Sequence, residues 1–189
     1  MSIFDKLKNT AQNIAKSAIQ IGKDETFTFT ALPESVDQLK ALPEAALDTP
    51  YKTAALTVCA LCAYAADKEI GKQMFEFLRG PGGPLSPMDQ QFLNDRFSDN
   101  KFYVPFSYFA GATPENNYTP TQPYTIKVCC NPYSFQNEGY ATLWITSGGA
   151  DSPRQVDLRQ VASTGKWYVR NHEGLTPDIR KPKSADPWA

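Results

Sequence analysis

The stretch that decides the fold is TPYKTAALTVCALCAYAADK, residues 49–68. Thr49 followed by Pro50 indicates a helix start, because the hydroxyl caps free backbone amides and proline suits the first helical position. From Pro50 to about Ala66 nearly every side of the helix is apolar, which predicts a helix buried at the centre of the protein. The run is broken by Thr57 and is shorter than the ~20 residues that span a bilayer.

Cys59 and Cys62 form a C-x-x-C pattern within this helix and share one of its faces. A redox pair needs a thiolate, which a helix N-terminus and partial exposure favour, whereas burial among apolar side chains raises a thiol pKa. We therefore expect both cysteines to be core side chains. Cys129 and Cys130 are strand neighbours and point to opposite faces, so one is expected to be buried and the other exposed or covered. Because adjacent strand residues are poorly placed to bind one metal ion together, no metal site is predicted. No cofactor is predicted either.

Further helices are predicted on both sides of residues 50–66. A short helix opens at Pro33, a second begins at Asp67 and ends at Gly80, and a third is capped by Ser86. The segment GPGGP contains the glycines of a phosphate-binding loop but lacks its lysine and hydroxyl, and its prolines remove two backbone donors. We interpret it as a plain loop.

The sequence changes character from Lys101 onward. KFYVPFSYF is rich in aromatic residues, and Pro105 restricts it to an edge strand or an extended segment. Four later runs, YTIKVCC, YATLWITS, RQVDLRQV and KWYVRN, predict an antiparallel meander, as Phe27 and Phe29 predict an earlier short strand. STGK joins the last two runs as a hairpin with Gly165 at positive φ. The tail is expected to run extended over the surface, anchored by Trp188.

The predicted fold class is α+β, with an N-terminal helical half packed on a C-terminal antiparallel β-meander of about four to five strands. The expected organisation is an amphipathic helix over residues 1–23 and a single domain over residues 24–189, divided into a helical part (33–99), a sheet (101–172) and an extended tail (173–189).

Charge and composition exclude some classes of function. The net charge is -1, which gives no field for a nucleic-acid partner. Residues 1–23 carry four lysines and one aspartate, whereas residues 24–100 carry six basic and twelve acidic side chains. Because the N-terminus lacks a continuous apolar run, no secretory signal is predicted, and the expected location is cytoplasmic with reduced cysteines.

Residues 1–22 show the clearest helical periodicity in the chain. Their apolar stripe comprises Phe4, Leu7, Ala11, Ile14, Ala18 and Ile21. A helix of this length is marginal alone in water, so something is expected to cover the stripe. Three alternatives stay open: the helix packs on its own domain, docks on a partner protein or a second copy, or lies on an anionic membrane surface.

The candidate ligand-binding residues are Asp157, Arg159, Tyr168, Arg170 and His172. The first four lie on the polar face of the last hairpin, which is either the floor of a ligand cavity or a solvent-exposed face of cross-strand ion pairs. His172 is the only histidine, and we interpret it as an isolated surface residue. No motif joins a nucleophile, a base and an orienting group, so no catalytic residue is assigned.

These observations favour a non-enzymatic binding or protein-interaction module. The alternatives are a small enzyme that uses Asp157 or His172 as base and Tyr168 as donor in a cavity between sheet and helices, and a peripheral membrane protein held by residues 1–22.

The strings RQVDLRQVASTGKWYV, LTPDIRKP and DPWA resemble the C-terminal motifs of a family of uncharacterised bacterial domains from Firmicutes and related gut bacteria. The likeness covers residues 25–189 and is strongest from Pro153 onward. It implies a bacterial source, and the family carries no assigned activity or catalytic residues.

Overall fold

The computed structural model of the chain describes residues 23–188, so the predictions for residues 1–22 lie outside the described part. The helices are α1 (Val36–Ala41), α2 (Pro50–Ala66), α3 (Lys68–Arg79) and α4 (Pro87–Arg96). The strands are β1 (Glu25–Phe29), β2 (Tyr124–Cys129), β3 (Tyr140–Ile145), β4 (Arg154–Gln160) and β5 (Trp167–Asn171). The predicted α+β class, with helices before an antiparallel sheet, is confirmed. None of these helices has both the length and the apolar character needed to cross a membrane.

Each of the four helices begins at a side chain that caps free backbone amides. Thr49 accepts a hydrogen bond from the Lys52 N–H, and Asp67 accepts bonds from two amides in the first turn of α3. Ser86 and its partner Asp89 form a reciprocal capping box at α4. The short helix α1 begins after Ser35 rather than at Pro33, because the serine hydroxyl supplies the cap that proline lacks. Caps of this kind contribute about 1 kcal/mol each.

Helix α2 is the centre of the core, as its sequence predicts: fourteen of its 17 residues are buried. Its buried hydroxyls are paired, since Thr53 Oγ1 donates to the Trp167 carbonyl at 2.9 Å and Thr57 Oγ1 to the Thr53 carbonyl at 2.7 Å. Cys59 and Cys62 are 0% and 4% exposed, and burial raises the pKa of both thiols well above the ordinary range. The core interpretation of this pair is therefore confirmed. Cys129 and Cys130 are both half-buried, so the prediction that one of them is fully buried is wrong.

The sheet has the order β1-β2-β3-β4-β5, with every neighbouring pair antiparallel. Strand β1, from the start of the described chain, pairs with β2 and adds the fifth strand. Val156 and Leu158 on β4 are buried while Arg159 is exposed, so the strand alternates between a face on the helices and a face in solvent. Gly165 has φ +71° in the β4–β5 connection, as the hairpin prediction requires.

The prediction of an edge strand or extended segment after Lys101 is wrong. Residues Lys101–Tyr103 and Pro105–Tyr108 form two 3₁₀ turns, and β2, the next strand, begins only at Tyr124. Pro105 occupies the first position of its turn, where its fixed φ fits and its missing N–H costs nothing. The turns bury Tyr108, whose hydroxyl donates to the Leu175 carbonyl at 2.5 Å.

The C-terminal tail differs from the expected extended segment over residues 173–189. It contains the 3₁₀ turns Glu173–Leu175 and Lys183–Ala185, and Leu175 is fully buried. Trp188 is 93% exposed, so the prediction that it anchors the tail is wrong. The buried side chains of Leu175 and Pro182 hold the tail instead.

Candidate functional site

A cleft lies between the β4–β5 hairpin and the turn that follows α3. We call it the arginine cleft, and its volume is about 540 Å³. It is lined by Arg79, Pro81, Gly82, Arg159, Gln160, Val161, Ala162, Tyr168, Val169 and Arg170. It thus brings together three of the residues singled out from the sequence, Arg159, Tyr168 and Arg170.

Strand register sets the positions of the residues from the hairpin. Tyr140 on β3 lies opposite Arg159 on β4, and Arg159 lies opposite Tyr168 on β5. Directly opposed residues point to the same face of an antiparallel sheet, so these three side chains form one row across it. Arg170 is two residues beyond Tyr168, and its guanidinium lies near the Tyr140 ring of the same row.

The third arginine of the cleft, Arg79, is the last residue of α3 and is held by two partners. Its Nε donates to the Gly83 carbonyl at 3.0 Å, and its Nη1 lies 3.5 Å from Asp89 Oδ2. Burial raises the pKa of Asp89, but hydrogen bonds from Ser86 and the charge of Arg79 outweigh it and hold that pKa below its usual value. Asp89 is therefore a carboxylate at neutral pH, and it fixes the orientation of the Arg79 guanidinium.

Gly80 allows the helix end and the hairpin to approach closely. Its φ of +48° is a conformation that favours glycine, and a Cβ on it would lie 2.3 Å from Tyr168 Cε1. The Tyr168 ring therefore packs directly on the backbone at the end of α3. This contact places Arg79 beside the two arginines of the hairpin.

The guanidinium groups of Arg159 and Arg170 converge on one aromatic ring. Their Cζ atoms lie 5.4 Å and 5.6 Å from the centroid of Tyr140, within the range of cation–π contact. Between residues 23 and 188, neither side chain forms an ion pair. Both positive charges thus lie near one aromatic ring rather than in an ion pair.

His172 lies in a smaller pocket of about 250 Å³ that shares Arg79 and Arg170 with the arginine cleft. The prediction of a surface histidine is wrong, since its side chain is 1% exposed and lies 4.6 Å from the Phe75 ring, centroid to centroid. Neither ring nitrogen has a hydrogen-bond partner in the described chain. Burial lowers the pKa of His172 to about 4, against a smaller opposing effect of Asp89. The imidazole is neutral at pH 7, with one nitrogen able to donate and the other to accept.

Asp157 is separated from the cleft, although the sequence placed it with Arg159. Its Oδ1 accepts hydrogen bonds from Thr142 Oγ1 and Gln155 Nε2, both at 2.9 Å. A register shift between Asp157 and Leu158 brings Asp157 opposite Asn171. Its carboxylate is engaged in a polar network on the outer face of the sheet.

Sequence reasoning missed Arg79, Asp89 and Tyr140. Arg79 comes from the helical half, and the turn after it was interpreted as a plain loop although it forms one wall of the cleft. The available signal was an arginine at a helix end followed directly by glycines, RGPGG at residues 79–83. Throughout residues 23–188, no three His, Cys, Asp or Glu side chains are grouped as metal ligands.

A family model described as "Domain of unknown function (DUF6935)" matches residues 31–183 of the chain. The match begins just after β1 and includes every residue that lines the arginine cleft. No curated protein and no solved structure gives a significant match to the chain.

Proposed function

Since the chain belongs to the DUF6935 family of domains of unknown function, we propose its function from geometry: it binds a small organic anion, with a phosphate or carboxylate group, in the arginine cleft. The observation that carries this proposal is the composition of the cleft wall. Its ten described residues include three arginines and no aspartate or glutamate.

The electrostatics of the cleft favour an anion. Arg159 and Arg170 both lie near the Tyr140 ring without an ion-pair partner in the described chain, and an anion that contacts both gains charge-assisted hydrogen bonds from each. The planar guanidinium presents paired donors that match the oxygen atoms of carboxylate and phosphate. Arg79 is already oriented by Gly83 and Asp89, so the ordering of its side chain costs little on binding.

The apolar part of the cleft indicates an organic ligand rather than an inorganic ion. Pro81, Val161, Ala162 and Val169 line it beside the arginines. The volume of about 540 Å³ lies within the ~300–1,000 Å³ typical of small-molecule sites. A ligand with an apolar body and one anionic group satisfies both parts of the wall.

Isothermal titration calorimetry with phenyl phosphate, benzoate and the neutral analogue benzamide tests this proposal. We expect binding of an anion and none of benzamide, with affinity that falls as salt is raised. Arg159→Ala or Arg170→Ala should each weaken binding by about ten- to a hundredfold, the equivalent of one charged hydrogen bond of ~1.5–3 kcal/mol. Arg96→Ala is the matched control, since Arg96 is exposed on α4, stacks on Phe92 and does not line the cleft. Equal affinity in all three variants, or no anion binding at low salt, would refute the proposal.

A second candidate function is proton transfer to or from the bound anion by His172. It is favoured by the burial of a neutral, unpaired imidazole in the pocket that adjoins the cleft. Asp157, which is hydrogen-bonded outside the cleft, has no geometric support as the base. In this case p-nitrophenyl phosphate should be hydrolysed by the parent protein but not by His172→Gln, with binding of phenyl phosphate retained. Binding without turnover in both proteins leaves the binding module as the function.

We also propose that the protein comes from a bacterium and is located in the reducing cytoplasm. The C-terminal motifs quoted above support the source, and the packing of Cys59 and Cys62 as separate thiols in the core fits the location. Protein partners or self-association through residues 1–22 stay a prediction.

A further inference from the structure

A second groove shares no lining residue with the arginine cleft. It has a volume of about 590 Å³ and runs between residues 30–34 and the C-terminal end of α2. Ile70, Phe106 and Tyr124 complete its wall as half-buried apolar side chains packed on the core. We call it the N-terminal groove.

The charge at this groove is acidic. Glu34 and Asp67 line it, and no lysine or arginine does among its described residues. Within residues 23–188 neither carboxylate forms an ion pair, although Asp67 Oδ1 accepts backbone hydrogen bonds as the cap of α3. The groove therefore combines an apolar floor with uncompensated negative charge at its rim.

Residues 1–22 of the same chain have the complementary character. They carry Lys6, Lys8 and Lys16 against a single acid, Asp5, and their sequence predicts a helix with one apolar stripe. We propose that this segment docks in the N-terminal groove of its own chain, with Phe4 and Leu7 on the apolar floor and the neighbouring lysines beside the two carboxylates.

The length of the segment fits this arrangement. From Lys23, β1 leads to the groove at Thr30, seven residues at about 3.4 Å each, or about 24 Å. A helix rises 1.5 Å per residue, so one that runs back beside β1 covers that distance in about 16 residues. Counting back from Gly22, this brings the region of Phe4 and Leu7 level with the groove. Ile21 stays near the start of β1.

Site-specific photo-cross-linking of the full-length protein tests this register. Benzoylphenylalanine replaces Phe4 in one variant and Ile21 in a matched second variant, and mass spectrometry locates the products. The Phe4 probe should cross-link within one chain to residues 30–34 or 62–70, and the Ile21 probe should not. Glu34→Lys should lower the yield of the Phe4 product, by up to about fivefold for one exposed ion pair, whereas Asp37→Lys, on an exposed acid of α1 outside the groove, should not.

Three results overturn the proposal. Phe4 products that join two chains identify a second copy as the occupant. Phe4 products at residues outside the groove place the segment elsewhere. Phe4 products with lipid in vesicles of phosphatidylglycerol and phosphatidylcholine, without products in the groove, identify a membrane surface as the binding partner of the segment. Circular dichroism of each variant confirms that the products come from folded protein.

Discussion

Lowering the pH from 7 to 5 should destabilise the folded protein by about 2 kcal/mol through His172 alone. The pKa of this residue is about 4 in the folded chain, against an ordinary value of 6.5. Since the folded pKa is the lower one, the unfolded chain takes up the proton first as the pH falls below 6.5. The contribution of the neutral His172 to the free energy of unfolding is therefore lost between pH 6.5 and pH 4 and is fully present above this range.

The size of the effect follows from the two pKa values. A shift from 6.5 to about 4 corresponds to about 3 kcal/mol once both states are protonated, and to about 2 kcal/mol at pH 5. His172 is 1% exposed, so solvent does not screen this loss appreciably. The chain contains one histidine, and the favourable contribution of Asp89 is lost only near and below its ordinary pKa of 3.8. The change in stability between pH 5 and pH 7 therefore reports the protonation of the His172 imidazole.

Urea unfolding at pH 7 and pH 5 measures this loss in the parent protein and in His172→Phe. Phenylalanine keeps an aromatic ring against Phe75 but cannot take up a proton. We expect the parent to lose about 2 kcal/mol between the two pH values and the variant to lose much less. The free energy of unfolding could fall equally in parent and variant, or not fall in the parent. Either result would refute the claim that His172 is buried as a neutral imidazole.

Two further predictions concern the helix end at the cleft and the core thiols. Gly80→Ala should cost about 1–3 kcal/mol because φ +48° with ψ -116° is a conformation that residues with a Cβ rarely adopt, lowering the melting temperature by about 2–12 °C, and should weaken anion binding because the new Cβ displaces Tyr168. Gly82→Ala, whose Cβ would meet its nearest neighbour at 3.8 Å, is the control for stability, and equal melting temperatures of the two variants would contradict the role of Gly80. With an aromatic disulfide reagent, the half-buried Cys129 and Cys130 should react in the folded protein and Cys59 and Cys62 only after unfolding. Four thiols that react at one rate would show that the α2 pair is accessible.

The parts of the fold that local chemistry controls were predictable. Thr49-Pro50 defines the start of α2 because cap and first-turn preferences act within four residues of the chain. The alternation in RQVDLRQV defines β4 and its buried face, because one face of an antiparallel sheet is solvated. These local signals do not depend on which residues pack on the opposite side of the core.

The errors occur where tertiary packing decides. Pro105 fits the first position of a 3₁₀ turn as well as an edge strand, and only the burial of Tyr108 against the tail selects the turn. His172 follows a strand in a polar stretch, and nothing in that stretch reveals that it packs on Phe75 from α3. The arginine cleft was predicted in part for the same reason. Arg159, Tyr168 and Arg170 share one hairpin, but Arg79 reaches them from about 80 residues earlier in the chain.

The pairing of β1 with β2 has a consequence for synthesis of the chain on the ribosome. Phe29 lies opposite Tyr124, so the first strand is translated about 95 residues before its neighbour. At ~5–20 residues per second of translation, the backbone donors and acceptors of β1 have no β2 to pair with for roughly 5–20 s. The helical half can condense in this interval, because its contacts form within residues already made. A nascent chain of this protein therefore exposes β1 as an unpaired strand, the type of feature that chaperones shield, until β2 has been translated.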